Sequence, residues 1–132
     1  MCVFCKIANN EVPAYTIYED DDFIAFLDIS QATIGHTLIV PKKHYPNIYS
    51  LDDVIAGKLG KLSVLLANHL KEKLKTDHMN IITNAGELAG QTVNHFHLHL
   101  IPRYINDGMI FKFNRNELSE KEFKKLHNLL KK

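Results

Sequence analysis

The stretch Asn94-His95-Phe96-His97-Leu98-His99-Leu100-Ile101-Pro102-Arg103 constrains the fold more than any other part of the chain. It places three of the eight histidines at every second position, with Phe96, Leu98 and Leu100 in the gaps. In an extended strand, successive side chains point to opposite faces. The apolar set then faces a core, and His95, His97 and His99 line the other side. In a helix, His95 and His99 would be neighbours, but His97 would point away and the apolar set would scatter. Pro102 suits the end of such a strand. Strand spacing puts adjacent histidines about 7 Å apart and the outer pair about 13 Å apart at the backbone. Three imidazoles in that line fit one metal ion poorly. They suit an extended anion such as a phosphate chain, because imidazole can attack phosphorus, donate a hydrogen bond and move protons near neutral pH.

The rest of the sequence supplies the scaffold for that strand. Residues 15–20 and 23–29 are rich in β-branched and aromatic residues, with Asp20 to Asp22 between them, and read as a hairpin. Residues 36–42 form a third strand and 78–84 a fourth. Leu51, Val54, Ile55, Leu62, Leu66 and Leu70 recur at helical spacing, so a helix runs to about Leu74. Ser50 and Asp53 resemble its capping box. A short helical piece follows Cys2 and ends near Val12 and Pro13. Ser119 and Glu122 repeat the capping pattern before a last helix, with Phe123, Leu126 and Leu130 on its apolar face. Hairpin, strand, helix, two strands and helix, joined by short turns, predict an α+β fold. Its core is a five-stranded, mostly antiparallel sheet with one long helix and a C-terminal helix packed on it.

A chain of 132 residues is expected to form one domain, residues 1–132, and needs no covalent staples to fold. The net charge of +1 predicts no general attraction to nucleic acid or membrane. The basic end, Lys121 to Lys132, reads as a solvated helix face. No apolar run is long enough to cross a bilayer, and the first residues lack an export signal, so a cytoplasmic location is expected. In a reducing compartment, the two cysteines, Cys2 and Cys5, favour metal or redox use over a structural disulfide.

The pattern His-x-His-x-His-x-x with apolar x resembles that of the histidine triad (HIT) family. So do "FCKIANNEVPAYTIYEDDDFIAFLDISQATIGHTLIVPKKH" and "NAGELAGQTVNH", and the resemblance covers roughly residues 2–104. It implies a HIT-like fold, usually in a homodimer sharing an extended sheet, and hydrolysis of purine nucleotide derivatives at the α-phosphorus. By position, His97 would be the nucleophile that forms a covalent nucleotidyl-histidine intermediate. His99 and His36 would contact phosphate, and Thr92 a phosphate oxygen or the leaving group. Asn84 would hold the phosphate region and Asp28 the ribose hydroxyls. Phe4, Ile7, Val12, Phe26 and Ile29 would line the base pocket. Histidine at position 99, where transferase relatives have glutamine, implies hydrolysis. Phosphoramidates, aminoacyl adenylates and dinucleoside polyphosphates are the candidate substrates.

The zinc-containing, bacterial-type branch of the family implies a use for Cys2 and Cys5. Together with His44 and His95 they would form a Cys₂His₂ structural zinc site. Such a closed four-ligand site leaves no place for a bound water. Two other readings compete. One is a zinc-dependent metal hydrolase in which His95 and His97 grip a catalytic ion. The other is a nucleotide-binding protein without physiological turnover.

Overall fold

The computed structural model describes residues 2–132. Five strands, β1 (Thr16–Glu19), β2 (Phe23–Leu27), β3 (Thr37–Pro41), β4 (His78–Ile82) and β5 (Leu98–Arg103), form one sheet in the order β1-β2-β3-β5-β4. All four pairings are antiparallel. Three helices accompany them: α1 (Val3–Ala8), α2 (Asp53–Leu74) and α3 (Glu120–Leu130). The α+β fold expected from the sequence is therefore the fold observed, with the first four strands trimmed by one or two residues at an end.

The sheet is buried on both faces. On one, Leu62, Leu66 and Leu70 of α2 pack against Phe23, Ala25, Ile39 and Leu100. On the other, Phe4, Ile7 and Ala8 of α1 pack against Ile24, Phe26, Leu38 and Val40. The central strands are therefore continuous apolar runs, as double burial requires.

Three expectations need correction. The histidine strand is laddered only from Leu98, because β3 and β4 offer it partners no further back than Ile39 and Ile82. Beyond Ile39 and Val40 the third strand reaches Pro41, which has no N–H to give. Phe96 N–H instead donates to Tyr45 O at 2.6 Å. Second, the N-cap of α2 is Asp52, whose carboxylate accepts from Ile55 N–H at 2.9 Å. Ser50 lies in the preceding turn and donates to Asn47 O. The Tyr45 hydroxyl donates to the same Asp52 carboxylate at 2.6 Å, a tertiary contact that selects this cap. Third, α3 does form behind its Ser119–Glu122 capping box, but it does not pack on the sheet: every residue from Ile110 to Lys132 is exposed.

One glycine is fixed by its surroundings. Gly35 has φ +95°, and a Cβ there would collide with Leu74 Cδ1 at the end of α2. Both facts require glycine immediately before His36.

Asp52→Ala removes the α2 cap and the partner of a buried tyrosine hydroxyl. It is expected to cost about 1–2 kcal/mol in urea unfolding, with no change in the slope of the transition. A loss under a few tenths would mean that the cap is supplied elsewhere.

Candidate functional site

The histidine stretch enters β5 past a cleft of about 590 Å³ between α1, the end of β2 and the loop before His95. His97 and His99 stand at one end of it. Phe4, Ile7, Val12, Phe26 and Ile29 line it, and Asp28 and Thr92 lie on its wall. Ile29 sits on the rim and is 88 % exposed. Asn84 lies in the loop after β4, with its amide 3.6 Å from where a Cβ on Gly90 would be, outside the cleft lining.

The face expected to carry the histidines is covered. His36, His95 and His97 are buried, the last two beneath Phe4 of α1. Phe4 meets the His97 ring edge-on at 5.0 Å and the His95 ring at 6.0 Å. A buried imidazole needs partners for both nitrogens, and those partners fix which nitrogen carries the proton.

His97 Nδ1 lies 2.8 Å from the His95 carbonyl oxygen. A carbonyl can only accept, so Nδ1 carries the proton and Nε2 keeps a free lone pair. The His97 carbonyl in turn accepts from the Thr83 hydroxyl at 2.9 Å, which fixes the backbone at this residue. His36 is set by the opposite logic. Ala32 N–H donates to His36 Nδ1 at 3.1 Å, so that nitrogen is bare and Nε2 is protonated. His36 Nε2 lies 2.9 Å from His99 Nδ1, so His36 donates and His99 accepts. His99 is left with a proton on Nε2. The row therefore presents one bare nitrogen, on His97, and one donor, on His99. Their rings are 4.9 Å apart.

Asp28 completes the group, with Oδ2 3.7 Å from His36 Nε2. Its Oδ1 accepts from Ser30 N–H at 2.8 Å. Burial is the main reason that His36 and His99 lie below the ordinary imidazole range. For His99, burial, aided by the neighbouring His97 and His36, lowers the pKa to about 4, and Asp28 opposes the shift.

Two clusters of donors could be considered for a metal ion. Cys2, Cys5, His44 and His95 bring Sγ, Sγ, Nδ1 and Nδ1 together with all six separations between 3.1 and 3.6 Å. Those are the edges of a small tetrahedron, close to what zinc with two sulfur and two nitrogen ligands requires. The outer nitrogen of His95, Nε2, donates to Pro41 O at 2.8 Å, as a metal-bound imidazole should. Asp28, His36 and His99 form the second cluster, and it fails the same test. An ion on His36 Nε2 would leave no proton on a ring whose Nδ1 already accepts from Ala32 N–H. That group is a hydrogen-bond relay. His95 has no nitrogen left for an ion shared with His97, because its Nδ1 faces the Cys2 and Cys5 sulfurs and its Nε2 donates to Pro41 O.

Some residues that shape the site had no sequence signal. Gln91 holds the loop before the triad, donating to Pro46 O at 2.6 Å and Val93 O at 3.0 Å and accepting from Gly86 N–H at 2.9 Å. Gln31 bridges the two ends of the Asp28–His36 loop through the carbonyls of both residues. Each acts on backbone atoms, which no residue pattern reveals.

His99 takes up a proton near pH 6.5 when unfolded but only near about 4 in the fold. The unfolded chain therefore binds more protons between those values. The stability from neutral His99 is complete above about pH 6.5 and is lost as the pH falls toward 4, on the order of 2–3 kcal/mol. Urea midpoints at pH 7.5 and 4.5 measure it. His99→Gln, which cannot titrate, is expected to show a smaller drop than the parent, and an equal drop would assign the effect elsewhere.

Comparison with known proteins agrees with the geometry. The HIT domain family model matches residues 9–106. A HIT-like protein of Methanocaldococcus jannaschii is 48 % identical over 118 residues, 86 % of this chain and 87 % of its own length. The adenosine 5'-monophosphoramidase of Saccharomyces cerevisiae is 35 % identical, over 98 % of this chain and 80 % of its own. A crystal structure of a Streptococcus mutans protein superposes with a TM-score of 0.93 at 41 % identity, covering 98 % of this chain and 82 % of that one. A zinc-bound histidine triad protein of Mycobacterium smegmatis gives a TM-score of 0.77 at 37 % identity, covering 87 % and 84 %. With three alternating histidines, two of them at the cleft, and a family match over most of its length, the chain belongs to the HIT family.

Proposed function

We propose that the chain hydrolyses a purine nucleotide derivative at the α-phosphorus, with His97 as nucleophile. The observation that carries this reading is the 2.8 Å contact from His97 Nδ1 to the His95 carbonyl, which leaves Nε2 bare at the end of the cleft. The apolar walls, Phe4, Ile7, Val12, Phe26 and Ile29, take the base. Asp28 accepts from the ribose hydroxyls, and Asn84 steadies the loop around the phosphate. The yeast relative's activity on adenosine 5'-monophosphoramide supports this class of substrate.

The steps follow from the protonation states. His97 Nε2 attacks phosphorus, a P–N bond forms, and the bond to the leaving group breaks with its electron pair. The ring becomes positively charged, and its Nδ1–H donates more strongly to the His95 carbonyl, which stabilises that charge. His99 Nε2–H donates to a phosphoryl oxygen, and His36 holds His99 in that orientation. The Thr92 hydroxyl donates to the departing atom, which then takes a proton from solvent. Water attacks the phosphorus of the nucleotidyl-histidine and gives up a proton to solvent, the P–N bond breaks with its electron pair going to nitrogen, and the neutral imidazole returns. Donors preset on the developing charge are the main source of acceleration in such a site.

Cys2, Cys5, His44 and His95 would hold a structural zinc ion, which ties the amino terminus to the residue whose carbonyl orients His97. The zinc-bound Mycobacterium smegmatis structure supports the choice of metal. The working unit is a homodimer.

A panel of adenosine phosphoramidate, aminoacyl adenylate and dinucleoside polyphosphate tests the reaction. His97→Ala is expected to lose at least 10³-fold in turnover while nucleotide binding stays within tenfold. Near-normal turnover in that variant, or none in the parent on any substrate, would overturn the reading. Protein purified without chelator is expected to carry about one zinc per chain by elemental analysis. Less than half an equivalent would defeat the metal assignment.

A further inference from the structure

Gln31 is exposed, yet its side-chain amide is bonded to the backbone of one loop at three points. The loop is residues 28–36, between β2 and β3. Nε2 of Gln31 donates to Asp28 O at 2.5 Å and to His36 O at 2.7 Å. Its Oε1 accepts from Gly35 N–H at 2.8 Å. An exposed amide has water as an alternative partner, and fixing a long side chain loses rotamer freedom. Three bonds to the backbone of a single loop therefore point to a task in the shape of that loop.

The shape matters at Ala32, the next residue. Its N–H donates to His36 Nδ1 at 3.1 Å. A buried imidazole pairs both nitrogens, and the partner of one nitrogen decides whether the other carries the proton. With Ala32 in place, His36 carries its proton on Nε2 and donates it to His99 Nδ1 at 2.9 Å. His99 then keeps its own proton on Nε2, toward the cleft. With Ala32 displaced, His36 is free to carry its proton on Nδ1 and leave Nε2 bare. To keep the contact between the rings, His99 has to donate from Nδ1, and its Nε2 turns a lone pair to the cleft. The alternative is two lone pairs facing each other in a buried place, which is costly. Asp28 Oδ2, 3.7 Å from His36 Nε2, favours a proton on that nitrogen as Ala32 does. The Asp28 carbonyl is held by the same glutamine, so both influences pass through one side chain.

We propose that Gln31 is a positioning residue for the reaction: by clamping the loop it holds Ala32 N–H and Asp28 against the His36 ring, sets the tautomers of His36 and His99 together, and keeps a donor turned to the substrate phosphate. Gln31 does not line the cleft and touches no substrate. The consequence for turnover rests on the nucleotide reading of the cleft, and the consequence for the tautomers does not, so the test separates the two.

Nitrogen-15 spectra of histidine-labelled protein read which ring nitrogen carries the proton, with His36→Gln and His99→Gln assigning the signals. In the parent at pH 7.5, His36 and His99 are expected with the proton on Nε2 and His97 with the proton on Nδ1. Gln31→Ala is expected to move His36 and His99 together to the Nδ1–H form in at least half of the molecules and to leave His97 as it was. Gln31→Glu keeps the length and the acceptor for Gly35 N–H but sets an oxygen against two carbonyls, and the same shift is expected. In both variants kcat is expected to fall at least tenfold while KM stays within threefold, because the cleft walls are untouched. Ile34→Ala changes an exposed side chain of the same loop that takes no part in these bonds. It is expected to leave the tautomers as they were and kcat within twofold. A parent with the proton on His36 Nδ1, unchanged tautomers in both Gln31 variants, a shift of His36 without His99, or an equal change in Ile34→Ala would each overturn the proposal. A raised KM beside an unchanged kcat would do the same. If the parent hydrolyses no substrate but the two rings still switch together, the proposed reaction fails and the hold of Gln31 on the relay stands.

Discussion

The site depends on His95, a residue that takes no part in the chemistry proposed for its neighbours. Its ring joins two segments that are both far from it in sequence. Nδ1 faces the sulfurs of Cys2 and Cys5, and Nε2 donates to the carbonyl of Pro41. Its own carbonyl then accepts from His97. One residue thus fixes α1, the end of β3 and the tautomer of the reactive ring. The covering helix matters as much as the strand, since Phe4 presses on both imidazoles and also forms a wall of the cleft.

Alternation in residues 94–103 and the helical spacing of Leu62, Leu66 and Leu70 are local patterns, and both were legible. The fifth strand and the long helix follow from them, and the other four strands from runs of β-branched and aromatic residues between turn signals. The Ser119–Glu122 box was legible for the same reason, since both partners lie within four residues. Ser50 misled because its competitor, Asp52, is chosen by the hydroxyl of Tyr45, which the sequence does not place. The start of β5 misled because a strand ends where its neighbours stop offering partners. The neighbours here are Ile39 and Ile82, far away in sequence.

The row of three histidines was legible by spacing and the other candidate residues only through the family resemblance, but the protonation of none of them was legible. Whether a histidine presents a lone pair or a proton depends on one atom across from its other nitrogen. For His36 that atom is the amide of Ala32, and for His97 it is the carbonyl of His95. Two chemically identical rings are set to opposite roles by backbone groups common to every residue. The same reasoning separates the two donor clusters. Both satisfy a distance test, but His36 in the second cluster would have to give up its only proton to hold an ion, whereas His95 keeps a proton on its outer nitrogen to donate.

The contact between Gly35 and Leu74 ties the scaffold to the relay. The last turn of α2 lies against the backbone just before His36, in space that only a hydrogen atom can fill. The long helix spans the face of the sheet away from the cleft, so its own position is set by Leu62, Leu66 and Leu70. A shift in that packing would be carried along the helix to Leu74 and so to the residue next to His36. Repacking the far side of this molecule is therefore a way to retune the histidine relay without touching any residue in the cleft.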